Sequence, residues 1–422
     1  MKHYLRTVSI SMMILAPMAW GAGFQLNEFS VAAVGRANAG EPAMSDTAAA
    51  IARNPAVMGN FDNDMFSVTY HYIDPDISVK GMILTASPVT AVGDAKNIAP
   101  ASSVGGMFYV HPIDDQWAFG IALDSHFGLS TDYGFDYAGT EFAQKTSIKT
   151  YYLSPSVSFK PVSNLSLGLS LNYIYGEGLI KNSSTPTIAA ITSGAVPNKM
   201  PLLRLKGDGD ALGYQLGITW DVAEGHRLGL RYESRVNLDF QGDLLLYTGP
   251  PAPAPLSGTL TAQLPEVYEL GYVGNITDHL RMMAGIEKTG WGSFKSLAAS
   301  IDQLGGIKLL LKDEDWKDVW RYSIGIEHDA SDMLTFRSGL GYDESPIRAS
   351  KRTLSIPDAN RTWYTLGMTA HFKGNNSLDA AIMYIAGKKV DVMEPSPYGT
   401  MFMGQLSSVN VMIYSIGYNY SF

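Results

Sequence analysis

The chain of 422 residues contains no cysteine, which excludes both a disulfide-stapled scaffold and a thiolate enzyme. It also lacks an excess of basic residues. Forty acidic residues outnumber 31 basic ones, for a formal charge of −9. With no basic footprint, nucleic acid is not expected as a partner. Beyond the amino terminus there is no run of eighteen apolar residues, so helical membrane spans are excluded. Neither a Gly-x-Ser-x-Gly elbow nor a His-Glu-x-x-His zinc motif occurs. The eight histidines are scattered, and His111 and His126, near Asp114 and Asp124, read as interfacial polar residues at strand ends. No catalytic residues, no metal ligands and no cofactor are therefore expected. An outer-membrane hydrolase would need a nucleophile–base pair that the sequence does not supply.

What is present is alternation. Tyr414, Ile416, Tyr418, Tyr420 and Phe422 alternate with Ser415, Gly417, Asn419 and Ser421. A period of two puts the aromatics on one face of a strand and small polar residues on the other. That suits a membrane barrel, with lipid on one side, a polar lumen on the other and aromatics at the interfaces. The closing Phe422 also looks like the terminal aromatic that outer-membrane barrels commonly carry. A mean hydropathy near zero is consistent, because only alternate residues of such a strand meet lipid. At the other end, Lys2 and Arg6 precede an apolar run from Val8 to Met18, followed by small residues. This reads as a secretory signal over residues 1–21, cleaved between Gly21 and Ala22.

The same pattern recurs at Leu167–Tyr175, Leu212–Trp220, Trp320–Ile326 and Tyr364–Phe372. The polar face is rich in glycine, serine and threonine, unlike the charged face of a soluble sandwich. About fourteen strands are expected, starting near Met65, Ser103, Trp117, Thr146, Leu165, Gly207, Arg227, Gly258, His279, Lys317, Met333, Thr362, Ser377 and Ser407. Short turns fall at residues 275–278, 330–332 and 374–376, and long connections at 182–204, 244–257, 292–316, 344–360 and 388–405. Two of the long connections are apolar. One carries Ile188, Ile191, Leu202 and Leu203; the other carries Leu245, Leu246 and Tyr247 before a proline-rich run at residues 250–255. Such surface either extends strands and packs on itself or receives something greasy. Residues 22–63 break the alternation with alanines and glycines, and read as short helices and turns. Placed inside the lumen, they would plug it, which argues against an open porin. The expected architecture is a transmembrane antiparallel β-barrel of about fourteen strands. It comprises a signal (1–21), a mostly helical hatch (22–63) inside the lumen, and the barrel (64–422).

Several motifs resemble the FadL-type transporters of long-chain fatty acids and other hydrophobic compounds. They are Gly23-Phe24-Gln25-Leu26-Asn27-Glu28-Phe29 with Gly35-Arg36, Arg53-Asn54-Pro55-Ala56, Tyr72-Ile73-Asp74-Pro75-Asp76 and Ser125-His126-Phe127-Gly128-Leu129-Ser130-Thr131-Asp132-Tyr133. Leu264-Pro265-Glu266, Asp343-Glu344-Ser345-Pro346 and Ser355-Ile356-Pro357-Asp358 complete the set. The resemblance implies a monomeric barrel in the outer membrane of a Gram-negative bacterium, in contact with membrane lipid and lipopolysaccharide. It implies passive uptake of a long-chain fatty acid or other hydrophobic small molecule. Cargo would be captured on apolar loops, released by a hatch carrying Phe24 and the Asn54-Pro55-Ala56 turn, and passed sideways at a kink in the third strand at Phe127, Gly128 and Leu129. A glycine at position 128 could adopt backbone angles that interrupt pairing. The lysine that holds the carboxylate in fatty-acid members falls on Lys312, the arginine position on Asn182, with Lys181 beside it. In a regular strand Lys181 points to the other face, and Lys312 could instead be solvated among Asp313, Glu314 and Asp315. Neutral or aromatic hydrocarbons are the alternative cargo.

Overall fold

Alternating side chains and continuous backbone pairing produce one closed sheet. The computed structural model describes residues 23–86, 90–247 and 256–422; the expected signal peptide and the proline-rich run 250–255 lie outside them. Twenty-one strand segments run as fourteen spans, seven of them broken once. These are β1 (Met65–Thr85), β2 (Thr90–Val92, Ser102–Pro112), β3 (Trp117–Asp124, Gly128–Asp132), β4 (Lys145–Val162), β5 (Leu165–Ser183), β6 (Pro201–Ala223) and β7 (His226–Glu233, Val236–Leu246). The circuit continues through β8 (Leu256–Leu264, Val267–Thr277), β9 (Leu280–Thr289, Ser296–Ile301), β10 (Ile307–Asp313, Val319–Ser331), β11 (Leu334–Asp343), β12 (Arg361–Phe372), β13 (Asn376–Gly387, Val390–Pro395) and β14 (Thr400–Ser421). Closure comes from β1 and β14, antiparallel from Met65↔Ser421 to Thr85↔Thr400. A closed ladder leaves no edge, which is what a sheet in lipid requires. No helix of the described residues is long and apolar enough to cross a membrane.

The faces sort as the alternation requires. Leu167, Leu169, Leu171 and Tyr173 of β5 are exposed to the outside, whereas Ser166, Ser170 and Asn172 are buried within. Four spans extend further than the expected starts: β2 from Thr90, β6 from Pro201, β10 from Ile307 and β14 from Thr400. The long connections at 292–316 and 388–405 are accordingly not plain loops, since they contain Ser296–Ile301, Ile307–Asp313 and Val390–Pro395. Pairing persists there because neighbours extend together and satisfy each other's backbone groups, as in Ser296↔Asp313 to Ile301↔Ile307.

Residues 23–60 pack against the inner face of the wall, and residues 61–64 lead out to its rim. Ser30 caps helix α1 (Val31–Gly35), its Oγ accepting from the Ala33 amide at 3.3 Å. Three 3-10 turns follow at Glu41–Ala43, Ala48–Ala52 and Pro55–Asn60, and the rest is irregular. Asn54 caps the last turn, its Oδ1 accepting from Ala56 N at 2.9 Å, with Pro55 in the first position where no amide is needed. The wall meets this segment with glycines. A Cβ on Gly168 would run into the Pro55–Ala56 backbone, and one on Gly217 into Asn54 Oδ1.

Candidate functional site

Breaks in three spans turn aromatic side chains toward one residue of the luminal segment. Phe127 lies in the break of β3, Trp291 and Phe294 in that of β9, and Trp316 in that of β10. The Phe24 ring is fully buried among them, 4.6 Å from Trp291, 5.8 Å from Phe294, 5.9 Å from Trp316 and 6.0 Å from Phe127, all edge-on. Edge-to-face contacts are the favoured aromatic geometry. Gly23 has φ +68, and a Cβ there would lie 2.6 Å from Trp316 and 2.9 Å from Trp291, so only glycine fits between the two indoles.

The break in β3 opens the wall. Below it, Met107–Pro112 of β2 pair with Leu123–Ala118 of β3. Above it, Gly128–Asp132 pair with Lys149–Lys145 of β4, and among the described residues no ladder joins that piece to β2. The luminal segment takes up the freed backbone groups: Leu26 N donates to His126 O at 2.8 Å, and Gly128 N to Phe24 O at 2.9 Å. Thr150 Oγ1 accepts from Phe127 N at 3.1 Å and donates to its carbonyl at 2.8 Å. Pairing resumes at Gly128, whose φ is not left-handed. The interruption thus belongs to Ser125–Phe127, and unusual backbone angles at Gly128 do not cause it.

Below Phe24 the lumen is filled with buried charged side chains. Arg53, fully buried, donates to Glu41 at 3.1 Å, Glu287 at 3.0 Å and Asn27 Oδ1 at 2.5 Å, and its guanidinium lies 4.9 Å from the Phe29 ring centre. Arg321 reaches Glu287 at 2.8 Å and Glu269 at 3.2 Å. Arg231 bridges Glu269, at 3.3 Å, and Glu233. His126 joins through Glu233 at 2.8 Å and Asp124 at 3.3 Å, stacked 4.0 Å from Tyr152. Burial, opposed by Arg53 and reinforced by Glu269, pushes the Glu41 carboxyl up to about 7. Of this network, the sequence reading named Asn27, Phe29, Arg53, Asp124 and His126, but none of the wall residues Arg231, Glu233, Glu269, Glu287 and Arg321. The alternation held the signal: Arg231, Glu233, Glu269, Glu287 and Arg321 all fall on lumen-facing positions, where a charge needs a buried partner.

On the side of the long connections, a cavity of about 590 Å³ opens between β5, β6, β10 and β13. Leu202, Leu203, Leu246, Tyr247, Leu309 and Leu311 supply apolar lining, and Asn182 and Lys312 reach the same space. The ammonium of Lys312 lies 2.6 Å from Ser355 Oγ and 3.0 Å from Glu394 Oε1, rather than solvated among Asp313, Glu314 and Asp315. Asn182 donates to Glu141 O at 3.2 Å. Lys181 is outside this cavity, on the opposite face of β5, with its ammonium 5.6 Å from the Phe135 ring. Ile188 of helix α2 (Pro186–Ile191) is buried with Val196 and Leu202, beside Tyr247 and Tyr398. Ile191 and Leu245 are half-buried and lie outside both groups.

Comparison with known proteins places these features in a family. Residues 12–422 match the model of the outer membrane protein transport proteins (OMPP1/FadL/TodX). The long-chain fatty acid transport proteins of Escherichia coli O6:H1 and Salmonella typhi are each 32% identical to the chain, over 443 and 437 residues and 98% of both partners. Outer membrane protein P1 of Haemophilus influenzae is 29% identical over 454 residues, again covering 98% of both. Among solved structures, a Pseudomonas aeruginosa FadL homologue superposes with a TM-score of 0.85 at 24% identity, over 95% of this chain and all of that one. The Pseudomonas putida toluene transporter TodX gives 0.65 at 19% identity, over 87% and 92%. The family is one of transport proteins rather than enzymes, and its named members include long-chain fatty acid transport proteins and a toluene transporter. The chain belongs to the OMPP1/FadL/TodX family of outer-membrane transport proteins.

Proposed function

We propose that the protein takes up long-chain fatty acids across the outer membrane by passive diffusion. Residues 1–21 direct export, 22–63 form the hatch and 64–422 the barrel, working as a monomer. The reading rests on one observation: the ammonium of Lys312 stands beside a leucine-lined stretch of a cavity whose size suits a small amphipathic ligand, with Lys351 and Arg352 lining the same space. An acyl chain gains roughly 0.8 kcal/mol per buried methylene, so apolar walls favour it at every stage. The carboxylate meets Lys312 and Ser355, and the tail lies along Leu202, Leu246 and Leu309. From there the chain displaces Phe24 from its aromatic surround. Loss of the two backbone bonds between residues 24–26 and 126–128 then frees the gap between β2 and β3 toward lipid.

A second reading, import of neutral or aromatic hydrocarbons, is favoured by Lys312 already having Glu394 and by the neutral Asn182. Binding of oleate and of toluene to purified protein in mild detergent, each repeated on Lys312→Ala, separates the two. Fatty-acid uptake requires oleate binding that weakens on losing Lys312. Toluene binding indifferent to Lys312, with little for oleate, would establish the hydrocarbon reading instead.

A further inference from the structure

Outside the lumen, the face of β4–β6 above the membrane carries charge arranged unlike the rest of the wall. Tyr151 and Tyr175 are register partners with rings stacked 6.2 Å apart, a pair typical of the aromatic girdle at a membrane interface. Six residues further toward the long connections, Lys145, Lys181 and Arg204 lie directly opposite one another on three adjacent strands. By the alternation of each strand, all three point outward. Lys206, on the intervening row, points the same way. Like charges directly across a sheet destabilise it unless an anion lies between them.

Lys145 has Asp132 at 2.8 Å. Among the described residues no carboxylate lies within 4 Å of the charged groups of Lys181, Arg204 or Lys206, although Asp243 of β7 is the register partner of Lys206. Lys181 leans instead on the Phe135 ring, which Lys199 also approaches, at 4.5 Å. Two outward cations elsewhere on the wall have ion pairs, Arg235 with Glu266 at 2.6 Å and Lys288 with Asp318 at 3.0 Å, and Lys149, two residues from Tyr151, faces Glu177 in register. Short turns mark the periplasmic end of such a barrel and long connections the outer end, so the row lies on the outer side, beyond the girdle. At about 3.3 Å per residue it sits roughly 20 Å along the strand above the tyrosines, over the exposed apolar Leu153, Leu171 and Tyr173.

We propose that Lys181, Arg204 and Lys206 form a binding site for the phosphorylated head of lipopolysaccharide, whose acyl chains lie along the apolar wall below. A phosphate or sugar carboxylate bridging the row relieves the cross-strand repulsion and gains charge-assisted hydrogen bonds. Glu177 and Asp208, register partners on the row nearer the tyrosines, define the competing arrangement, in which a divalent cation joins acidic side chains to phosphate.

The test is native mass spectrometry of the full-length protein in mild detergent with hexa-acylated, bisphosphorylated lipid A bearing inner-core sugars. The same lipid without phosphates and inorganic phosphate are run in parallel. At about 1 kcal/mol per cation near an anionic lipid surface, the triple change Lys181→Ala, Arg204→Ala and Lys206→Ala is expected to weaken binding on the order of 100-fold. Arg235→Ala with Lys288→Ala should leave it unaltered. Oleate binding by the triple variant reports that the barrel is intact. Loss of binding on removing the lipid's phosphates, with no uptake of inorganic phosphate, supports a lipid site. Equal binding by the triple variant overturns the proposal, and so does binding that vanishes with EDTA yet survives the three substitutions, which would assign the lipid to Glu177 and Asp208.

Discussion

The region around Arg53 and the cavity around Lys312 both bury cations, and they do it differently. Arg53 is fully enclosed and shares several carboxylates with Arg231 and Arg321, so that each charge has more than one partner. Lys312 keeps a fifth of its side chain exposed and has one carboxylate, Glu394, with leucines around it. A multiply bridged charge holds a segment in place. A singly paired charge beside a cavity is one a ligand can take over. The contrast teaches which part of the lumen is fixed and which is available.

The largest effect expected is on the fixed part. Arg53→Ala leaves Glu41 without its near partner and removes one cation from Glu287, and breaking a buried pair typically costs about 3–5 kcal/mol. Hydrogen exchange over residues 23–63 should rise steeply, and single-channel recordings should show openings absent from the unaltered protein. Unchanged exchange would mean that the wall glycines, rather than the ion pairs, retain the segment.

A change of pH sharpens the same point. Burial first, then Glu269, raise Glu41 to about 7 from its ordinary 4.5, against the pull of Arg53, Arg36 and Arg321. A carboxyl raised on folding binds protons better in the folded state. Its contribution is therefore fully present below about pH 4.5 and is lost as pH rises through 7, by up to about 3 kcal/mol. Glu41→Gln keeps the uncharged form, and should flatten the pH dependence of hydrogen exchange in that window. A slope that survives the substitution would assign it to Glu28, which burial also raises.

Smaller still is the effect of packing. Gly168→Ala places a methyl against the Pro55–Ala56 backbone, and overpacking of this kind costs about 1–3 kcal/mol. Protection should fall at residues 54–60 while the outer cavity binds ligand as before. Equal loss at both places would show that the two regions move together.

The sequence announces the barrel more clearly than the site. Tyr414 to Phe422 and their counterparts declare strands through side-chain parity alone, because lipid and lumen impose opposite demands on successive residues. Most starts fall within a residue or two of the observed ones. Thr90, Pro201, Ile307 and Thr400 were hidden because strands above the bilayer no longer alternate between lipid and water. The breaks that turn Trp291 and Trp316 inward leave no periodic trace either. Lys312 could be singled out, but Glu394 could not, since the two lie 82 residues apart and meet only through the extended pieces of β10 and β13. Asn182 and Lys181 part company by simple parity, which the sequence did carry.

That late-found partner gives the finest test of the comparison. Glu394 accepts from Lys312 and also from the Leu354 amide at 2.7 Å, so it is positioned independently of any ligand. An incoming carboxylate must either displace it or share the ammonium with it, and two anions beside one cation repel. Glu394→Gln keeps a carbonyl oxygen for the Leu354 amide and removes the competing charge. Oleate should then bind about tenfold more tightly, the equivalent of roughly 1.4 kcal/mol, with toluene unaffected. The same change made with Lys312→Met should bring no gain, because the benefit passes through the freed ammonium. A gain that persists without Lys312 would mean that Glu394 acts by bulk repulsion at the cavity mouth. Lys312 would then belong with Arg53 among the charges that hold structure, and cargo would be held by the leucines of the cavity alone.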